Sequence, residues 1–392
     1  MTYKELADMF TEIFGGTSGG IRVFEAPGRI NLIGEHTDYN GGYVFPAALS
    51  FSNVVIARKN NKNTINLAVT SLPDRVSADL DKLEQYKNLS WGSYQLGVAY
   101  VLKQAGYDIC GCDMLYHGTV PYGAGLSSSA SIEVATAIAL ASLGGRERLD
   151  LPEIAVLCQK AENEYVGMNC GIMDQFVSAM GKAGSALLLD CNTLQYEYVP
   201  IEFGTGKLVI TNSNKPRKLI ESKYNERRAE CIAALEYINK GGGAFKNLCD
   251  MTMAQFEEYK ASIPDGVLIR RAKHAVSENE RTLKAVQDLK RGDIKAFGEK
   301  MAESHISLRD DYEVTGAELD TLFEEASKIE GNIGSRMTGA GFGGCMVSIV
   351  EQSALDEFKH KLSRRYFEKI GYEPSFYITE IGDGGREVTD WR

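Results

Sequence analysis

Around residues 112–143 the chain changes character abruptly, and no other stretch restricts the fold as much. Residues 112–117 alternate and read as a strand. A loop then carries Gly123 and Gly125 into Leu126 and three consecutive serines, Ser127, Ser128 and Ser129. A long apolar run of helical length follows, to Leu143. Glycines let a backbone turn tightly and approach a bulky anion. The first turn of a helix has orphan N–H groups and the positive end of the dipole, so it suits a phosphate. Serine hydroxyls add donors, and one of them could ligate Mg²⁺. A serine-capped helix without any ligand has the same outline. The loop therefore points to an anion without naming it. It is not a Walker A loop, because Gly181-Lys182 and Gly206-Lys207 are followed by Ala and Leu, and protein-kinase signals are absent.

The chain has 392 residues, which predicts two domains. Its formal net charge of -10 argues against a nucleic-acid partner, which would require a basic surplus. A phosphate site built from backbone N–H groups remains compatible with that charge. No apolar run has the length of a membrane span, and the start, Met1-Thr-Tyr-Lys-Glu, lacks a signal segment. Eight cysteines are scattered through apolar stretches, which predicts reduced thiols and a cytoplasmic protein, expected to be a monomer. Cys110-Gly-Cys112 has no second pair at zinc spacing, so no zinc is expected.

Helical periodicity covers 2–14, 93–104, 127–143, a segment from Pro152, then 217–239, 252–262, 266–290, 293–308, 316–329 and 354–370. Strand patterns cover 21–25, 51–58, 65–70, 112–117, 185–190, 196–201, 207–212, 336–339, 345–350 and 375–381. This is an α+β pattern and not a regular βαβ array. A boundary near residue 195 divides it into 1–195 and 196–392.

The loop over 27–42 is the second informative stretch. It gathers Arg29, Asn31, Glu35, His36, Asp38 and Asn40, broken by glycines. Such a density of donors and acceptors suits a polyhydroxylated ligand, since carboxylates accept from vicinal hydroxyls. A solvated polar loop would have the same composition.

The stretch Pro27-Gly-Arg-Ile-Asn-Leu-Ile-Gly-Glu-His-Thr-Asp-Tyr-Asn40 resembles the galactokinase signature. Residues 120–131 resemble the central ATP motif of the wider GHMP kinases, and Thr338-Gly-Ala-Gly-Phe-Gly-Gly-Cys345 resembles their third, glycine-rich motif. The three occur in family order across most of the chain. The resemblance implies a two-domain fold with the site in the cleft between domains. It further implies transfer of the γ-phosphoryl of ATP to the anomeric hydroxyl of galactose, with Mg²⁺ as cofactor. Residue by residue, it implies that Arg29 faces the transferring phosphoryl and that Glu35, His36, Asp38 and Tyr224 contact the sugar. Residues 161–175 are similar to the stretch supplying the catalytic aspartate, here Asp174, with Gly171 beside it in the sugar site. Glu162 matches the Mg²⁺ carboxylate, with Ser129 as its serine partner. Trp91 and Tyr94 match an aromatic pair at the adenine, and Gly123, Gly125, Leu126 and Ser127–Ser129 the nucleotide loop. A kinase for a related sugar such as N-acetylgalactosamine would share these parts. Sensor relatives without turnover lack a Ser-Ala step in the serine loop, whereas Ser127-Ser-Ser-Ala-Ser131 is intact here.

Each residue also has a plainer role open to it. Asp174 precedes an apolar helical pattern and could be a helix N-cap. Glu162 falls at the edge of a helix's apolar stripe, where a half-exposed carboxylate is ordinary. Trp91 and Tyr94 are spaced as core aromatics are, and Tyr224 could be a surface residue of a charged helix.

Overall fold

The computed structural model describes residues 1–89, 91–121, 123–216 and 220–391. The first elements are α1 (Tyr3–Phe14), β1 (Arg22–Asn31), β2 (Tyr43–Val44), β3 (Pro46–Lys59), β4 (Thr64–Val69), β5 (Leu72–Asp79), α2 (Ser93–Gln104) and β6 (Cys112–Gly118). They continue through α3 (Ser128–Leu143), α4 (Leu151–Lys160), α5 (Met173–Met180), β7 (Ser185–Asp190) and β8 (Tyr196–Pro200). Then come β9 (Gly206–Asn212), α6 (Ile220–Lys240), α7 (Met253–Tyr259), α8 (Gly266–Lys290), α9 (Ile294–Asp310) and α10 (Ala317–Ala326). The chain ends with β10 (Asn332–Thr338), β11 (Cys345–Glu351), α11 (Leu355–Ile370), β12 (Ser375–Thr379) and β13 (Arg386–Val388).

A six-stranded sheet has the order β13-β1-β3-β6-β4-β5 and is antiparallel except for β4 beside β6. α3 lies against it, and its residues are buried nearly all round, as its uniformly apolar sequence requires. A four-stranded antiparallel sheet, β10-β11-β9-β12, packs against the later helices, and β2-β7-β8 form a third sheet.

Three differences from the sequence reading have physical causes. β1 does not end at Glu25 but runs on to Asn31, with its register against β3 shifting between Pro27 and Arg29. The irregularity at Gly28 lets two loops touch: a Cβ there would lie 2.6 Å from the Leu126 carbonyl, and that same carbonyl accepts from Arg29 N–H at 3.0 Å. β5 was not anticipated because it is a largely exposed edge strand of polar composition, and β13 because it is only three residues long. The helix anticipated over 217–239 is seen from Ile220, and 217–219 lie outside the described residues.

Burial is organised in separate cores. One spans Phe24 to Leu189, and another spans Val209 to Tyr366. A further cluster joins Ile30, Leu32, Ile33 and Phe45 to Ile210, Phe297, Val347 and Ile349. The apolar residues of the polar loop are thus anchored where the halves meet, which holds the intervening Glu35 and His36 at the joint.

Candidate active site

A cavity of about 1070 Å³ opens at that joint. Every site residue anticipated from the sequence lines it except Trp91. Trp91 instead packs half-buried against the first core, while Tyr94, in the first turn of α2, reaches the cavity. Asn212, at the end of β9, and Asn214 and Lys215, just after it, also line the wall and were not anticipated.

At the serine-loop end of the cavity, Ser127 precedes α3 with φ 58°, a left-handed conformation uncommon for a non-glycine residue. Its hydroxyl makes no cap. It donates to Asp174 Oδ2 at 2.5 Å. Asp174 is not a cap either, because α5 begins at Met173 with Ile172 at its N-cap position. Its carboxylate instead faces Arg29, whose Nε and Nη2 donate to Oδ1 and Oδ2 at 2.8 and 2.9 Å. A third Arg29 N–H reaches the Gly125 carbonyl at 2.8 Å. Burial alone would lower the pKa of this guanidinium, but Asp174 and Glu35 raise it, so its charge is secure. The planar fork locks arginine, carboxylate and glycine loop into one rigid unit.

Glu162 lies in a π-helical turn, Ala161–Val166, that continues α4, and such turns recur at functional sites. It is buried, and its Oε2 accepts from Gln175 Nε2, which also reaches Glu133 Oε2 at 3.0 Å. Burial, then Asp174, pushes its pKa up to about 7. Among the described residues no basic side chain pairs with Glu133 or Glu162, and Glu133 Oε1 and Gln175 Oε1 have no hydrogen-bond partner. Buried, uncompensated carboxylate oxygens suit a hard cation. Among the described residues there is no group of three or more His, Cys, Asp or Glu able to hold a metal by themselves.

At the polar-loop end of the cavity, Glu35 is 1% exposed; it accepts from Asn31 Nδ2 at 2.6 Å and from the Gly339 N–H, with Arg336 at 3.6 Å. Gly339, at φ +87°, ties the third glycine motif to both loops, since a Cβ there would lie 3.0 Å from the Gly125 carbonyl. Burial, then Asp174 and Glu35, raises the pKa of Asp38 to about 7. Asp38 fits only because Gly171 has no side chain: a Cβ would lie 1.9 Å from Asp38 Oδ2. His36 is buried, and burial, then His274, lowers its pKa to about 3, which leaves a neutral imidazole. Tyr224 lies 5.9 Å from His36, ring to ring, so it is part of the pocket and not a surface residue.

Behind the loop is a support that sequence reasoning missed. From α8, His274 Nε2 lies 3.1 Å from the Glu35 carbonyl, Glu278 Oε1 accepts from Gly34 N–H at 3.0 Å, and Asn279 Oδ1 accepts from Tyr43 N–H at 2.8 Å. Arg336, wholly buried, donates to the Asn31 carbonyl at 2.8 Å. In sequence His274 and Glu278 are two polar residues of a charged amphipathic helix, with no local mark of a buried role.

Comparison with known proteins agrees with this geometry. Family models for the GHMP kinases N terminal domain and the GHMP kinases C terminal match residues 93–182 and 285–369, so fold and loop set are those of a GHMP-type kinase. A galactokinase galactose-binding signature matches residues 8–59. The chain is 52% identical to a galactokinase of Clostridium acetobutylicum over 93% of its own length and 94% of that protein. It is 49% identical to one of Clostridium tetani over 99% and 98%. A crystal structure of Lactococcus lactis galactokinase complexed with galactose superposes with TM-score 0.96 at 43% identity, covering 98% of this chain and 100% of that one. The chain belongs to the galactokinase family. No helix among the described residues is long and apolar enough to cross a membrane.

Proposed function

We propose that the protein is an ATP-dependent sugar kinase that moves the γ-phosphoryl of ATP to the anomeric hydroxyl of galactose. The observation that carries this reading is the Arg29–Asp174 fork, held between the serine loop and the sugar loop in one cavity. Gly123, Gly125 and Ser127–Ser129 hold the phosphates through backbone N–H groups and hydroxyls at the start of α3. Asp174 orients the anomeric hydroxyl and accepts its proton, and Arg29 faces the charge on the transferring phosphoryl oxygens. Glu35, His36, Asp38, Gly171 and Tyr224 form the sugar pocket, and Tyr94 flanks the adenine.

Ser129 and Glu162 would hold Mg²⁺, a reading supported by the uncompensated carboxylates around Gln175. The ion, when bound, neutralises charge on the triphosphate. Glu162→Gln is expected to raise the Mg²⁺ concentration for half-maximal rate by roughly 10-fold or more, with galactose binding by calorimetry retained. Lost galactose binding with unchanged Mg²⁺ dependence would refute the assignment.

We read the chain further as a cytoplasmic monomer of two domains, 1–195 and 196–392. The free thiols of all eight cysteines support the compartment and the two separate cores the division into domains, with β13 returning to the first sheet.

Substrate choice tests the whole. An inverted C4 hydroxyl would leave buried pocket groups unpaired, at about 1–3 kcal/mol for each. The kcat/KM for galactose should therefore exceed that for glucose by roughly 5–150-fold for each group left unpaired. Equal values would sink the proposal, and a preference for N-acetylgalactosamine would replace the substrate.

A further inference from the structure

A chain of hydrogen bonds leads away from His36 into the second half of the protein. His36 Nδ1 lies 2.8 Å from the Tyr39 hydroxyl, which lies 2.8 Å from the Tyr312 hydroxyl, which lies 3.1 Å from Cys231 Sγ. Tyr312 is wholly buried in the loop between α9 and α10, and Cys231 is buried on α6. His36 lines the cavity at the other end of this chain; its Nε2 is buried and makes no hydrogen bond of ordinary geometry, with the Ala340 backbone as a polar neighbour of the ring.

We propose that Tyr39, Tyr312 and Cys231 are positioning residues that fix the tautomer of His36, so that its ring meets the sugar only as an Nε2–H donor. Two polarities are conceivable. In one, the Cys231 S–H donates to Tyr312, Tyr312 to Tyr39, and Tyr39 to His36 Nδ1. In the other every bond is reversed, and the chain ends with a phenol donating to sulfur. The first places a phenol O–H on an imidazole lone pair, a good acceptor, whereas the second ends on a thiol, a poor one. Asn40 Nδ2 already donates to Cys231 Sγ at 3.7 Å, which leaves the S–H free to start the first chain. Aligned bonds reinforce one another in a buried site, and the bond at one ring nitrogen sets the proton on the other. The pocket therefore demands an acceptor oxygen opposite His36, and a group able only to donate there is rejected. This rests on reading the cavity as a galactose site, but the tautomer itself does not depend on any sugar.

The test is two-bond ¹H–¹⁵N correlation on protein labelled at its five histidines, free of ligand, with His36→Gln to assign the ring. A protonated Nε2 and a lone pair on Nδ1 are expected. Tyr39→Phe should mix or invert the tautomers, and Tyr312→Phe should do so less. Tyr39→Phe should also raise KM for galactose roughly 3–10-fold, the range for one lost hydrogen bond, and more than it lowers kcat. A proton on Nδ1 in the wild type, or an unchanged tautomer in Tyr39→Phe, overturns the proposal. If galactose is not turned over at all, the reading of the cavity fails while the spectrum still decides the relay.

Discussion

Asp174→Asn lowers kcat by roughly 10²–10⁴, the range for a lost general base, while galactose still binds. The amide keeps one acceptor oxygen for the anomeric hydroxyl but loses charge and basicity. It also breaks the fork, because Arg29 bonds both carboxylate oxygens and Ser127 donates to one of them. Arg29 is 4% exposed, so removing its partner leaves a buried charge less compensated, and the thermal midpoint falls as well. A purely structural pair predicts that stability loss alone, with full kcat in the folded fraction. Measuring kcat per folded site together with galactose affinity separates the two. Arg29→Lys discriminates further: lysine keeps the charge but cannot supply the planar fork to phosphoryl oxygens, so kcat falls there too.

Gly171→Ala should raise KM for galactose roughly 10-fold or more, with the KM for ATP little changed. Gly171 is not in the left-handed region, so its backbone admits alanine. The methyl, however, would sit 1.9 Å from Asp38 Oδ2. Asp38 must swing away, and the sugar loses a buried partner. The thermal midpoint should hardly move, since a side chain at the cavity wall has room to shift. A galactose KM within twofold of wild type would show that Asp38 does not hold the sugar.

The helices and most strands were legible in the sequence because their periodicity is strong. The strand–loop–helix around the serines was legible because glycines, serines and an apolar helix follow one another without a break. β5 and β13 were not, since an exposed polar edge and a three-residue strand carry almost no apolar pattern. Candidate site residues could be picked from motifs, but their partners in the fold could not. Nothing local says that Asp174 pairs with Arg29, 145 residues away, instead of capping α5. The support from α8 was hidden for the same reason: Glu278 pairs locally with Arg281, as a surface carboxylate on a charged helix would, and its buried role comes from contacts distant in sequence, with Gly34 and Ser304. Trp91 shows the converse, an aromatic residue matching a motif whose side chain lies half-buried against the first core and outside the cavity lining.

The decisive assay follows galactose to its product with ATP and Mg²⁺, measuring ADP release and locating the new phosphate by ³¹P–¹³C coupling. A phosphoryl-transfer site built on Arg29 and Asp174 yields one ADP per phosphate, with that phosphate on the anomeric carbon. Galactose and ATP that both bind without ADP release, or a phosphate on any other carbon, would contradict it.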